Sequence, residues 1–370
     1  MPPSLPTIVL LGAGHAHLGV IDDWLKRGAP QARTVLVEPR AAMQYSGMVP
    51  GWLAGEYRRD ETDIALAQLV AAAGIEWRRN RAVAIDPDGK TALLETGERI
   101  AFDLCSIATG GVGQARDILG DDPRLIDIRP IDRFMDKWTE RRRRAHGPRR
   151  IAVVGGGAGG VELAFGLRNS DSAPEVLLTT GADGLLPGHG AATRHAAARE
   201  LERQSIQAIE ADARFDGGAL VAGGTSLEPL DCVVAAVGSG APAWPRESRL
   251  PVDEDGFIRV GPTQQVEGFP HILAAGDIAR RTDRAVRHSG VHAVYAGPVL
   301  ARNLRRLLAG RGRLARYSPL GMDFYLLNTC RGASILSYGQ LGFRTRWLRR
   351  VKDWLDRRWI ARFSRPRDAA

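Results

Sequence analysis

The sequence predicts an α/β fold made of two strand–turn–helix units, the second inserted in the first, with a small C-terminal region. Two turns carry that prediction. The apolar run at residues 8–11 ends in Gly12-Ala13-Gly14-His15-Ala16-His17, and the run at 151–154 ends in Gly155-Gly156-Gly157-Ala158-Gly159-Gly160. A third segment, Leu273-Ala274-Ala275-Gly276-Asp277-Ile278-Ala279, lies downstream. Glycine between a buried strand and a helix lets backbone N–H groups and the positive helix end approach a pyrophosphate closely. Two such turns in one chain imply two dinucleotides, with electrons passing between them.

In the first unit His17-Leu18-Gly19-Val20-Ile21 opens a helix. A second apolar run, Thr34-Val35-Leu36-Val37, ends at Glu38, 26 positions after Gly12. A carboxylate at that distance grips the ribose hydroxyls of an adenosine. His17 stands where the fingerprint has its third glycine or alanine, and is expected to loosen the helix–strand contact. Tyr45-Ser46-Gly47-Met48-Val49-Pro50-Gly51 reads as a returning loop in which Tyr45 or Met48 either covers the bound group or anchors a plain connection. A helix is expected near 63–73, then strands at 82–85 and 91–95 as a small meander. Residues 104–108 return to the sheet before Thr109-Gly110.

The inserted unit is expected over 128–237, with 1–127 and 238–310 forming the first unit and 311–370 the C-terminal region. A helix from Ile131 ends in the basic run Arg141-Arg142-Arg143-Arg144, read as a solvated helix end. The second turn leads into Val161-Glu162-Leu163-Ala164-Phe165-Gly166-Leu167. Its next strand, Val176-Leu177-Leu178, ends at Thr179-Thr180, with neither an acid for an NADH ribose nor an adjacent arginine for a 2′-phosphate; the next arginine is Arg194. Residues 255–260 and 271–275 read as strands, the latter delivering Asp277 to a helix start. A carboxylate there can cap the helix and bond a ribityl hydroxyl. Further on, a helix beginning near 287–298 is expected to aim its N-terminus at the electron-carrying ring. His288 and His292 on it are either proton carriers or polar residues at a helix start.

The combination of residues 12–17, Glu38, Ala108-Thr109-Gly110, 155–162 and 273–279 resembles the two-dinucleotide-domain flavoproteins with Rossmann-like domains. These include type II NADH dehydrogenases, sulfide:quinone oxidoreductases and pyridine nucleotide–disulfide oxidoreductases. A narrower resemblance lies in residues 14–17, 45–51, Gly297-Pro298 and 352–358. These are similar to the NADH-dehydrogenase-like flavoprotein sometimes fused ahead of selenide, water dikinase. The resemblance implies FAD on Gly12, Gly14, His15, Ala16, Glu38, Tyr45, Met48, Thr109, Gly110, Gly276 and Asp277. It implies NAD(P)H on Gly155, Gly157 and Gly160. Glu162 is placed beside nicotinamide and flavin, or is simply a first-turn glutamate favoured by the helix dipole. This chain departs at Tyr295-Ala296, where type II NADH dehydrogenases carry a glutamine pair. The implied activity is hydride transfer from NAD(P)H to flavin, then electron release to a quinone or similar acceptor. A low-turnover redox sensor, a partner-feeding flavoprotein and a sulfide:quinone oxidoreductase-like enzyme are the alternatives.

Cysteine count argues against thiol chemistry. Cys105, Cys232 and Cys330 are far apart, without a Cys-x-x-Cys pair, and the first two sit in apolar strand runs. Cys330 reads as the least buried and the one open to reaction. No metal-ligand cluster is read. At 370 residues the chain holds two or three domains, and no run of eighteen apolar residues occurs. The start, Met1-Pro2-Pro3-Ser4-Leu5-Pro6, has no signal-peptide pattern. Net charge is +9, but residues 341–370 hold ten Lys/Arg against three Asp/Glu, leaving the rest at +2. That excess is a tail property and argues against nucleic acid. In the tail, Trp347, Leu348, Val351, Trp354, Leu355, Trp359 and Phe363 share half of a helix, interrupted by Arg358 and Arg362. This amphipathic helix suits an anionic membrane surface or a docked helix with a basic outer face. The expected location is cytoplasmic, with contact at the inner face of the cytoplasmic membrane and a homodimer left open.

Overall fold

The computed structural model describes residues 5–143, 147–319 and 324–364. Thr7–Leu11, Arg33–Val37 and Leu104–Ile107 are largely apolar and almost wholly buried, as strands covered on both faces must be. They run parallel to one another, with Glu76–Arg78 outside Arg33–Val37 and Phe269–Ala274 outside Leu104–Ile107. The sheet continues through the antiparallel strands Gln265–Val266 and Ile258–Val260 to Ala279–Arg281, making eight strands among the described residues. Helix His15–Arg27 packs on helix Gly290–Leu308. A Cβ on Gly297 would stand 2.7 Å from the Ala16 carbonyl oxygen, so glycine is what lets these two backbones meet.

The second sheet is parallel throughout, in the order Leu125–Asp127, Cys232–Ala235, Arg150–Val154, Glu175–Thr179, Gln207–Ile209. Leu125–Asp127, expected in the first unit, therefore belongs with the second sheet. Helix Ala158–Arg168 comes after the second turn and packs on the short helix Val49–Leu53. Gly166 permits that contact, since a Cβ there would lie 2.6 Å from the Pro50 carbonyl oxygen. Meanders flank both sheets: Ala82–Asp86, Thr91–Leu94 and Arg99–Ala101 beside the first, Ala213–Asp216, Ala219–Ala222 and Thr225–Ser226 beside the second. A last meander, Phe324–Asn328, Ser334–Tyr338 and Leu341–Thr345, lies against helix Ala191–Arg203 and the C-terminal helix Arg346–Ser364.

Four expectations change. Residues 63–73 are a strand, Asp63–Ala65, paired with Ala42–Gln44, and then a helix, Leu66–Ala72; strand pairing overrides helical pattern at the front. Residues 255–260 hold a strand only at Ile258–Val260, because Asp253 Oδ1 accepts the Phe257 amide and Gly256 turns at φ +92°. Asp277 caps no helix. Gly276 at φ +79° turns the chain into Ala279–Arg281, which pairs with Ile258–Val260, and the helix begins only at Gly290 behind the Ser289 cap. Arg141 is not a free solvated cation, since its guanidinium donates to the carbonyls of Asp231 and Pro123. Arg144 lies outside the described residues.

The C-terminal helix splits the apolar half that its sequence suggests. Leu348, Trp359 and Phe363 are buried on the body, along with the polar Lys352 and Asp356. Arg362 pairs with Asp22 at 2.6 Å and lies over the Trp359 ring. Trp347, Trp354 and Leu355 stay outside at 65 %, 55 % and 39 % exposure. Among the described residues no helix is long and apolar enough to cross a membrane.

Candidate functional site

A cavity of about 530 Å³ opens at the carboxyl ends of the first sheet, where ligands of open α/β sheets bind. The first turn forms its floor. Gly12 turns at φ +84°, and a Cβ there would stand 2.7 Å from Thr109 Cα; one on Gly14 would stand 2.5 Å from the Ala108 carbonyl oxygen. Side chains at either position would drive the turn off the strand ends. Gly14 caps helix His15–Arg27, so the first amides of that helix face the cavity.

His17 does not loosen this turn. Its ring is fully buried, with Nδ1 2.5 Å from the Gly12 carbonyl oxygen and Nε2 2.8 Å from Ser106 Oγ. A carbonyl only accepts, so Nδ1 carries the hydrogen and Nε2 accepts from the serine. Burial lowers the imidazole to about 4, against the opposing pull of the Gly12 carbonyl and Glu38, and holds it neutral. The ring bridges turn, helix and strand Leu104–Ile107 where a small residue would leave a direct contact.

Glu38 is 2 % exposed at the end of Arg33–Val37, and its Oε2 accepts the Ala13 amide at 2.8 Å. Arg40 holds it bidentately at 2.7 and 2.9 Å. Burial opposes ionisation, but the Arg40 bonds and charge, with two backbone amides, outweigh it and hold the carboxyl below its ordinary range. At the far wall Asp277 Oδ2 pairs with Arg129 at 2.7 Å. Neither arginine is marked by the sequence. Arg40 stands two residues from Glu38, whereas nothing local ties Arg129 to Asp277, 148 positions away.

The group the sequence implies here is FAD, and the residues fit it. Asp277 Oδ1, Thr109 Oγ1 and His15 Nε2 are buried with no hydrogen-bond partner among the described residues. Buried polar atoms of this kind are rare unless something else satisfies them. They stand beside the close-approach glycines, and Gly110, Gly276, Ala16 and Glu38 share the same lining.

Tyr45 and Met48 lie outside that lining; Met48 is buried and Tyr45 is half-buried against the first core. The segments carrying the narrower resemblance meet here. His15 contacts the rings of Tyr45 and Trp359 at 5.9 and 6.3 Å. Lys352 Nζ donates to the Gly47 carbonyl at 2.9 Å and to Asp356 Oδ2 at 2.6 Å, while the Tyr45 hydroxyl bonds Asp356. Gly47 adjoins Ser46, a cavity-lining residue.

Glu162 lies within the electrostatic reach of Lys352 and Asp356. Its Oε1 accepts the Asn328 amide at 2.7 Å. Burial pushes its carboxyl up to about 7, offset by the Lys352 charge and the Asn328 amide and reinforced by Asp356. Lys352, buried on an otherwise basic helix, is marked in the sequence only as the first residue of the resemblance segment 352–358, with no role attached. Its signal, a lysine and an aspartate four apart on the buried side, emerges only once the helix is docked.

His288 and His292 fall elsewhere. His288 Nε2 faces the Ala279 carbonyl at 3.2 Å and its ring packs on Phe257. His292 Nδ1 bonds the Tyr317 hydroxyl at 2.8 Å. Both line a separate small cavity of about 40 Å³ that shares Asp277 with the large one. The cysteines form no pair. Cys330 is buried, contrary to its sequence appearance, and burial with the charges of Glu56 and Glu162 pushes its thiol well up.

The second turn repeats the first. Gly155 turns at φ +132°, and a Cβ on Gly160 would stand 1.9 Å from the Gly155 carbonyl oxygen. Gly157 and Gly159 face open space, with nothing within 4 Å of an added Cβ.

Residues 6–297 match the family model described as pyridine nucleotide-disulphide oxidoreductase. The chain is 27 % identical to demethylphylloquinone reductase NdbB of Synechocystis, over 87 % of this chain and 84 % of that one. It is 27 % identical to human ferroptosis suppressor protein 1 over 68 % of each. The sulfide:quinone oxidoreductase of Aquifex aeolicus superposes with a TM-score of 0.79 at 15 % identity, covering 97 % of this chain and 91 % of that structure. With two glycine turns on two parallel sheets and a family match across most of its length, this chain belongs to the pyridine nucleotide-disulphide oxidoreductase family.

Proposed function

We propose that this protein is an FAD-dependent NAD(P)H oxidoreductase that passes electrons to a quinone or similar acceptor without a redox disulfide. One observation carries the reading. Glu162, from the helix of the second turn, is held by the Asn328 amide within the field of the buried Lys352, which rests against the loop lining the first cavity. The family match and the quinone reductases among the relatives support it. Residues 1–127 and 238–310 hold FAD and 128–237 hold NAD(P)H, with the strand Leu125–Asp127 counted in the second unit.

FAD, when bound, supplies two-electron acceptor and donor chemistry. The chain's part is binding, orientation and proton supply. Gly12 and Gly14 admit the pyrophosphate, Glu38 the adenosine ribose, and Asp277 the ribityl side. Gly155, Gly157 and Gly160 receive the pyrophosphate of NAD(P)H. Net reduction of a quinone consumes NAD(P)H and one solvent proton and yields NAD(P)⁺ and quinol. Glu162 holds that proton on Oε2, since Oε1 is taken by the Asn328 amide. Lys352 keeps positive charge beside it. The test is anaerobic addition of NADH or NADPH to the yellow protein. Fast bleaching, reversed by a short-chain quinone over many cycles, is expected; slow or absent bleaching overturns the reading.

The C-terminal helix is a peripheral membrane contact at the inner face of the cytoplasmic membrane. Trp347, Trp354 and Leu355 point away from the body, and Arg358 lies 5.1 Å from the Trp354 ring. Aromatic side chains beside arginines suit an anionic headgroup layer. Flotation with anionic vesicles is expected to carry the protein, and replacing the three apolar residues by serine is expected to release it. Equal flotation of both forms would refute the contact.

A further inference from the structure

The second nucleotide site lacks the usual selector. An NADH site places an acid at the end of the second strand, and an NADPH site places an arginine nearby. Here the strand Glu175–Thr179 ends in Thr179-Thr180, and Thr179 Oγ1 is buried with no hydrogen-bond partner among the described residues. Beyond Thr180 the chain makes a turn that is clamped onto the phosphate loop. A Cβ on Gly156 would stand 2.5 Å from the carbonyl oxygens of both Thr180 and Gly184, and the Leu186 amide donates to the Gly156 carbonyl.

Two acids from the adjacent strand end back this turn. Glu210 Oε1 lies 3.0 Å from the Cβ position of Gly184, and Asp212 Oδ1 lies 3.1 Å from that of Gly181. Asp212 Oδ1 also accepts the Ala182 amide at 3.2 Å. Both carboxylates are exposed at the surface. On the same loop Arg287 reaches only Gly188, at the far end. The adenosine end of the site thus faces two acids that no cation pairs among the described residues. A ribose with free hydroxyls is tolerated there; a 2′-phosphate dianion is repelled.

We propose that this site selects NADH over NADPH, with Glu210 and Asp212 supplying from the neighbouring strand end the discrimination that Thr179 and Thr180 lack. The inference rests on the second turn binding NAD(P)H, as in the proposed function. Because both acids are solvated, their effect is moderate, about ten-fold, and weakens with salt.

The test uses the FAD-loaded full chain. Binding of 5′-ADP and 2′,5′-ADP to the oxidised protein is measured beside flavin bleaching by NADH and NADPH. At low salt, about ten-fold preference for 5′-ADP and NADH is expected. The double variant Glu210→Gln, Asp212→Asn keeps the hydrogen bond to Ala182 and removes only charge. It is expected to cut the preference about five-fold, as is high salt in the parent protein. Equal binding of the two fragments, tighter 2′,5′-ADP, no binding of either, or a ratio unmoved by the double variant would each overturn the inference. Discrimination between fragments without bleaching by either nucleotide would sustain it while sinking the oxidoreductase reading. Bleaching without discrimination would do the reverse.

Discussion

At the first glycine turn a Cβ on Gly12 or Gly14 would meet backbone atoms at 2.7 and 2.5 Å; at the second, Gly157 and Gly159 face open space. The third fingerprint position differs as well. Gly160 sits directly over the Gly155 carbonyl, whereas His17 reaches the Gly12 carbonyl with a buried ring. The first turn is walled by Glu38, Arg40, Arg129 and Asp277, while the second lies against a strand end of two threonines backed by exposed acids. One local motif therefore serves two purposes. Under the proposed assignment, enclosure by distant segments, not the turn itself, separates a cofactor that stays from a substrate that visits.

Four experiments bear on that contrast, taken from the strongest effect down. Gly14→Val pushes a side chain into the carbonyl of Ala108, which is held at the end of the strand Leu104–Ile107 by its amide's bond to the Leu11 carbonyl. The protein is expected to purify without flavin and lose roughly 1,000-fold in turnover, since the whole cofactor contribution goes. A variant that keeps stoichiometric flavin would break the contrast at its base.

Glu162→Gln is expected to lower turnover about 100-fold at unchanged flavin content, the low end of the usual range for a lost proton donor. The pH profile of the parent should bend near 7, where burial has pushed this carboxyl, and the bend should vanish in the variant. The sign for stability comes from the same shift. The unfolded carboxyl releases its proton from about 4.5 upward while the folded one retains it to about 7, so stability falls as pH rises through that window. Chemical denaturation of both forms across it should show the slope in the parent only.

His17 has the opposite sign. Folded, it stays neutral down to about 4; unfolded, it takes a proton below about 6.5, so stability falls as pH drops. By pH 5 the loss is roughly 2 kcal/mol, and His17→Gln should remove that slope. An unchanged acid slope would show that the ring is no bridge. His15, also lowered to about 4 by burial, contributes in the same direction, so the residual slope reports on it. The smallest effect belongs to Gly157→Ala, whose methyl enters open space: flavin content unchanged and the KM for nucleotide within about three-fold. A colourless Gly157→Ala protein would erase the distinction between the turns.

Much of the scaffold was legible because its signals are local. The strands Thr7–Leu11, Arg33–Val37, Leu104–Ile107 and Arg150–Val154 show as apolar runs, and the turns after them show as glycine. Asp277 was found by its Gly-Asp context, yet its supposed helix cap was an error, since the edge strand Ala279–Arg281 takes the chain away first. Cys330 reads as exposed because its neighbours are polar, while the core that buries it is built by the last meander, helix Ala158–Arg168 and the second sheet.

The sequence by itself determined the α/β pattern, the two turns, Glu38 at the strand end, the lack of a cysteine pair and the basic tail. Each is written in neighbours or in short periodic spacing, where chain geometry alone dictates the outcome. Only the tertiary structure decided that Arg129 meets Asp277, that Lys352 and Asp356 turn inward, and that Glu162 joins them beneath Tyr45. Arg129 and Asp277, Glu162 and Lys352, and Tyr45 and Asp356 each lie more than a hundred residues apart. Their pairing is set by which faces can be buried together, and no local spacing records that choice.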